Sequence, residues 1–144
     1  MLVLIAIINN TSYARGGNFG LGVIIGEPTG ISMKYWNGRT TAIDGAIAWS
    51  FGDESAFHLH ADYLIHAFEV IKVSEGALPL YYGIGGRLKF QKKEDQLGIR
   101  IPLGMAYYFS KAPLDIFLEL VPILELIPST EFDFNAAIGI RYYF

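Results

Sequence analysis

Hydrophobic and polar residues alternate with a period of two along the chain from Phe19 onward. The last stretch is the clearest, because one set of alternate positions is almost entirely large and apolar: Phe132, Phe134, Ala136, Ile138, Ile140, Tyr142 and Phe144. The positions between them hold Asp133, Asn135, Ala137, Gly139 and Arg141. Successive side chains of a β-strand point to opposite faces, whereas a helix would spread these residues around its circumference. The pattern therefore predicts a strand with one apolar and one polar face.

The same alternation recurs in seven further segments. The eight predicted strands are 19–25, 30–36, 41–51, 56–68, 78–90, 97–109, 114–126 and 132–144. Turn-forming residues separate them, with Pro28-Thr29-Gly30 and Asn37-Gly38 as the clearest signals. No segment shows a helical period. The sequence predicts an all-β fold, an eight-stranded antiparallel up-and-down barrel.

Composition decides which face of the barrel points outward. The chain is 52% hydrophobic and only 17% charged, and several strands exceed the roughly 9–11 tilted residues that cross a bilayer. The polar faces hold many Gly and Ala residues, which is typical of a crowded interior. The apolar faces end in aromatic residues, as lipid-facing bands do. We therefore predict a transmembrane barrel; the alternative is a soluble lipocalin-like barrel with its apolar face inside.

Other classes of protein are disfavoured by the charge and by the absence of cysteine. A chain without cysteine has no disulfide framework, iron–sulfur cluster or zinc–thiolate site. A net charge of −3 is the wrong sign for a nucleic-acid partner. We predict no cofactor.

The first residues resemble an export signal. The apolar run Leu2–Ile8 is too short to span a membrane as a helix, which takes roughly 20 residues. It suits the apolar centre of a signal peptide, and Ser12 and Ala14 fit its cleavage site. The usual positive charge before the run is missing. We predict a truncated signal peptide over 1–14 and the barrel domain over 15–144, with a short apolar strand as the alternative for 1–14.

The predicted polar faces would bring charged side chains together in the lumen. The expected luminal network consists of Lys34, Asp44, His58, His60, Asp62, His66, Arg87, Arg100, Asp115, Glu119, Glu125 and Arg141, with Lys89 and Asp133 on the same faces. Cations and anions nearly balance. Since side chains just about fill an eight-stranded barrel, paired charges would plug this lumen rather than line an open pore.

The C-terminal motif resembles the assembly signal of bacterial outer-membrane barrels: an aromatic last residue preceded by alternating apolar residues, here Ala136, Ile138, Ile140, Tyr142 and Phe144. The architecture is similar to the small eight-stranded class that includes the OmpA membrane domain. The segments 28–34, 48–51 and 59–63 also resemble an uncharacterised family of small outer-membrane barrels. The resemblance implies a fold, an outer-membrane location and insertion by the barrel-assembly machinery. It implies no activity.

Two more specific interpretations, a metal site and a catalytic site, compete with a luminal network of hydrogen bonds and charges. His58, His60 and Asp62 alternate along one strand face, about 6.6–6.8 Å apart, and imidazole with carboxylate suits zinc or copper. A lipid-modifying enzyme would need a set such as His60 or His66 with Asp62 and Ser50 or Ser55, but the spacing resembles no such motif. The network is the favoured interpretation, so we predict neither a metal site nor catalytic residues.

The sequence thus predicts a small, non-enzymatic outer-membrane barrel of a Gram-negative-type bacterium with a structural or envelope role. Its partners would be outer-membrane lipid and, during biogenesis, the barrel-assembly machinery; the oligomeric state stays open. A narrow channel or small-ligand-binding barrel is the alternative, and a lipid A-modifying enzyme is the third. With both termini in the periplasm, the loops after the first, third, fifth and seventh predicted strands would face outside.

Overall fold

The computed structural model of the chain describes residues 17–27, 29–50, 56–91 and 94–144. The predicted signal segment 1–14 lies outside these ranges. The strands are β1 (Phe19–Gly26), β2 (Gly30–Trp36), β3 (Thr41–Ser50), β4 (Ala56–Ala67), β5 (Leu80–Gln91), β6 (Gln96–Arg100), β7 (Leu103–Tyr108), β8 (Leu114–Ile127) and β9 (Glu131–Tyr143). Within these ranges, no helix has the length and apolar character needed to cross a membrane.

The strands close into a ring. Neighbours pair antiparallel in the order β4-β3-β2-β1-β9-β8, then β6 and β7, then β5, which pairs back to β4. The first and last strands lie side by side, with Gly20 opposite Tyr143. Because β6 and β7 both lie between β5 and β8, the ring has eight positions. The prediction of an eight-stranded antiparallel up-and-down barrel is confirmed.

The sixth predicted strand, 97–109, was wrong as one uninterrupted element, because it divides into β6 and β7 at Pro102. Proline has no backbone N–H and cannot donate to the ladder. The register nevertheless continues across the break, with Arg100 opposite Gly85 and Leu103 opposite Tyr82. The carbonyl of Pro102 still accepts a hydrogen bond from the N–H of Gly83 at 3.1 Å. β6 and β7 therefore occupy a single strand position in the barrel, which is interrupted by a local loss of pairing.

The two faces of the wall differ as the alternation predicts. On β9, Ile138 and Tyr142 are 49% and 48% exposed, whereas Arg141 and Tyr143 are 2% and 1% exposed. Every other strand likewise has large apolar side chains on its outer face. Aromatic rings from Phe19 and Phe144 lie next to each other near the chain's end, 6.4 Å apart. The barrel is apolar outside and mixed polar and aromatic inside.

The two ends of the barrel are distinguished below as the terminal end and the distal end. The terminal end holds Phe144 and the connections 37–40, 68–79 and 109–113; at the distal end β1, β3, β5 and β8 finish. Segment 68–79 is held against the wall by a bridge between Ala77 and Tyr108. The Tyr107 hydroxyl donates to the carbonyl of Glu75 at 3.0 Å. The terminal end is therefore partly covered by its own longest connection.

Candidate functional site in the barrel interior

The structure places all the side chains of the expected luminal network inside the barrel. They are between 0% and 7% exposed: Lys34, Asp44, His58, His60, Asp62, His66, Arg87, Arg100, Asp115, Glu119, Glu125 and Arg141. Burying an ionised side chain is costly unless it is paired and hydrogen-bonded. The pairings therefore decide what this interior can do.

Arg100 is the centre of the first cluster. Its Nε and Nη2 donate to the two carboxylate oxygens of Asp62 at 2.9 and 3.1 Å, and Nη2 also reaches Glu119 at 3.3 Å. The hydroxyl of Tyr81 donates to the other oxygen of Glu119 at 2.9 Å. Asp62 and Arg100 lie two strands apart, with Gly85 between them in the ladder. Because Gly85 has no side chain, the guanidinium can cross this gap.

Arg141 is the centre of the second cluster. Its guanidinium donates to Asp115 at 3.3 Å, to Asp44 at 3.4 Å and to the Ser32 hydroxyl at 3.0 Å. Asp115 also accepts a hydrogen bond from the Tyr143 hydroxyl at 2.6 Å. The contacts join β9, β8, β3 and β2, so this cluster ties together strands that are not all neighbours in the ring.

Arg87 forms the third cluster, near the distal end. It donates to Glu125 and lies 3.6 Å from Asp133. The Asp133 side chain is 50% exposed, and Lys89 is half-buried, so these two residues stand at the mouth rather than deep in the lumen. A cavity of about 280 Å³ opens here, with His58 and Asn135 in its lining.

Lys34 closes the terminal end together with aromatic rings. Its ammonium bonds to His66 Nε2 at 2.7 Å and donates to the Tyr108 hydroxyl at 2.9 Å. The same nitrogen lies 4.6 Å from the centre of the Trp36 ring, within cation–π range. Phe68 packs on Trp36, with 6.2 Å between ring centres. The sequence predicts Trp36 only as a membrane-interface anchor or a packing residue; its contact with Lys34 was not predicted, although the two residues share a strand face.

The three histidines divide between two places. His58 Nε2 and His60 Nδ1 share a hydrogen bond of 2.9 Å, while His66 lies with Lys34 at the other end. Ligand atoms of Asp44, His60 and Asp62 lie within 4.8 Å of one another. Of the three metal candidates from the sequence, His60 and Asp62 belong to this set. Among the described residues, Asp44 and not His58 is the third member. Ser55 and the side chain of Ser50, needed for the catalytic alternative, lie outside what the structure describes.

The interior is tightly filled around several of these groups. Arg100, Asp115 and Tyr108 are each 0% exposed. Three buried polar atoms in the clusters have no hydrogen-bond partner among the described residues: Oδ1 of Asp44, Nη1 of Arg100 and Oδ1 of Asp115. Unsatisfied buried groups of this kind are rare and call for an explanation.

The apolar motif at the C-terminus lies on the outer wall of β9 and beyond it. Ile138, Ile140, Tyr142 and Phe144 are 49%, 40%, 48% and 64% exposed, and Ala136 faces the same way. The N–H of Phe144 donates to the carbonyl of Phe19 at 2.9 Å. The five residues form one continuous outward stripe next to β1.

An eight-stranded ring with an apolar outer wall and ion pairs inside is the architecture of small outer-membrane-type barrels. The crystal structure of the N-terminal β-barrel domain of Pseudomonas aeruginosa OprF is similar over 88% of this chain and 97% of that chain, with 12% identity and a TM-score of 0.59. This likeness shows the fold. Residues 9–144 match the family described as "Protein of unknown function (DUF3996)", and the chain belongs to that family. No curated protein matches the chain.

Proposed function

We propose that this protein spans the outer membrane of a Gram-negative-type bacterium as a small structural barrel with a closed lumen. The observation that carries the proposal is the outer wall, where every described strand exposes large apolar side chains. A soluble protein rarely exposes a contiguous apolar patch larger than a few hundred Å². Such an apolar outer wall is suited to contact with lipid.

The packed interior supports a structural role over a transport role. Arg100 and Tyr108 are fully buried in different clusters, and general porins of larger strand number leave an aqueous channel instead. The histidines that an enzyme of the lipid-modifying kind would use face the interior, away from lipid. We therefore assign the protein an envelope-integrity function without catalysis.

The ends of the barrel suggest its orientation and biogenesis. We place the terminal end in the periplasm and the distal end outside. The start of β1 and the end of β9 then both lie on the periplasmic side, from which the chain reaches the membrane. The outward stripe ending at Phe144 would be the surface that the barrel-assembly machinery recognises, and lipid would cover it afterwards.

Fractionation tests the proposal. The tagged protein should be recovered in the outer-membrane fraction, and unboiled samples should migrate differently from boiled ones because the closed barrel resists detergent. A strain that lacks the protein should take up more of a hydrophobic dye, and the complemented strain should return to the normal level. Recovery in the soluble periplasm without detergent would contradict the location, and unchanged dye uptake would contradict the envelope role.

A further inference from the structure

We propose that the barrel interior binds one zinc ion between Asp44, His60 and Asp62. The inference requires the barrel fold, which the structure shows, and does not depend on the outer-membrane location or on the envelope role.

The ladder between β3 and β4 creates the site. Asp44 and Asp62 are directly opposite each other in the register, and like charges in that position repel. The two side chains are buried, at 3% and 2% exposure, so water does not screen them. Two carboxylates held together inside a protein are stable only where a proton or positive partners neutralise them.

The neighbouring cations satisfy only one of the two carboxylate oxygens of Asp44. Oδ1 of Asp44 has no hydrogen-bond donor among the described residues. Its Oδ2 lies 3.4 Å from Arg141, which also forms an ion pair with Asp115. Lys34, directly opposite Asp44 on β2, bonds instead to His66 and Tyr108. A buried acceptor atom therefore stays unsatisfied beside a second carboxylate.

The imidazole of His60 completes a ligand set. Its Nε2 lies 3.7 Å from Oδ2 of Asp62, which is too long for a hydrogen bond. Two ligand atoms on a tetrahedral zinc with bonds of about 2.0–2.2 Å lie about 3.3–3.6 Å apart, so this pair needs only a small contraction. The ligand atoms of the whole set lie within 4.8 Å of one another and would close further around the ion. Nδ1 of His60 is hydrogen-bonded to His58, as the second nitrogen of a metal-bound imidazole usually is. His58, a candidate ligand in the sequence, thus becomes a positioning residue.

Arg100 is compatible with the ion but weakens its binding. Its guanidinium occupies one lone pair on each oxygen of Asp62, and each carboxylate oxygen has a second lone pair to offer. The contact fixes the orientation of Asp62, while the positive charge repels a second cation. We therefore expect moderate rather than very tight binding.

The donor chemistry selects the metal. Two carboxylates and one imidazole leave a fourth position open, which is the arrangement of three-ligand zinc sites. Calcium takes about 6–8 oxygen ligands, more than these side chains provide. The site also lies one side chain from the distal mouth, because His58 lines the cavity of about 280 Å³ there and contacts His60 directly.

Calorimetric titration of the metal-free, detergent-folded protein tests the site. We expect the wild type to bind one zinc ion per chain and calcium not at all. Asp44→Asn keeps the shape of the side chain and should lower the zinc affinity at least thirtyfold. His58→Gln should lower it about tenfold, as the loss of such orienting partners does. His66→Gln is the matched control: it is a buried histidine of the same strand at the other end, and its zinc binding should equal that of the wild type.

Cobalt gives a second readout that a merely structural effect would not produce. Tetrahedral Co²⁺ bound in the zinc site should give visible absorption bands in the wild type and His66→Gln, but not in Asp44→Asn. The boiled and unboiled gel comparison shows that each variant is folded. Absence of one-to-one zinc binding by the folded wild type, or equal affinity in Asp44→Asn, would overturn the site while leaving the proposed membrane role untouched.

Discussion

At the scale of single residues, Gly85 shows how a missing side chain allows a buried ion pair. It stands between Asp62 and Arg100 in the ladder, and a Cβ added there would overlap Oδ1 of Asp62. The next residue, Gly86, points outward, and the nearest heavy atom to an added Cβ is 3.9 Å away. An added methyl group would therefore overlap other atoms at Gly85 but not at Gly86.

Gly85→Ala should destabilise the folded barrel, and Gly86→Ala should not. The new methyl group overlaps Oδ1 of Asp62 and the backbone carbonyl oxygen of Ala61, so it disturbs both the ion pair and the ladder. Overpacking of this kind costs about 1–3 kcal/mol. For Gly86→Ala we expect a change within about 0.5 kcal/mol, as for other outer-surface substitutions. Urea unfolding in detergent micelles, followed by the gel shift, measures both. Equal losses in the two variants would show that Gly85 does not serve the ion pair.

At the scale of strands, two prolines weaken the wall at one level. Pro102 separates β6 from β7, and Pro122 on β8 lies opposite the preceding residue, Ile101. Their carbonyls accept from Gly83 at 3.1 Å and Ile101 at 3.0 Å, but neither residue has an N–H to return the bond. Two ladder hydrogen bonds are therefore missing side by side, whereas β8 and β9 pair along most of their length.

Hydrogen exchange should reveal this weak level. A missing hydrogen bond is worth about 1 kcal/mol, so amides at 82–84 and 99–101 should exchange roughly five times faster than those of β9, since 1.4 kcal/mol is a factor of ten. Pro102→Ala supplies an N–H opposite Gly83 and should slow exchange at 82–84. Mass spectrometry of the detergent-folded protein gives the rates. Uniform protection along the wall would contradict the interpretation.

At the scale of the whole molecule, the alternation of apolar and polar residues sufficed to predict the ring, its faces and the buried network. Pairing within that network could not be predicted, because it depends on registers between distant strands. Arg100 meets Asp62 only because β4, β5 and β6 align at Gly85. Likewise Asp44 joins His60 and Asp62 through the β3–β4 register, which no local spacing in the sequence reveals.

The proposed closed lumen would depend on three layers of side chains along the barrel axis. Near the terminal end, Lys34 is enclosed by Trp36 and Tyr108. Further along the axis, Arg100 and its carboxylates fill the barrel, and Arg87 with Glu125 stands near the distal mouth. The Arg100 cluster is formed with Asp62, Glu119 and Tyr81. Loss of the Trp36 or the Arg87 side chain should therefore leave this middle layer in place.

Planar-bilayer recordings test this redundancy. The wild type should show no current steps, and neither should Trp36→Ala or Arg87→Ala, because the Arg100 cluster still fills the middle of the barrel at 0% exposure. An eight-stranded wall is only just wide enough for side chains to fill, so truncation at one end does not make a continuous path. A general porin in the same bilayers serves as the positive control. Current steps in the wild type would identify a channel instead, and steps in Trp36→Ala alone would make the aromatic layer around Lys34 the single barrier.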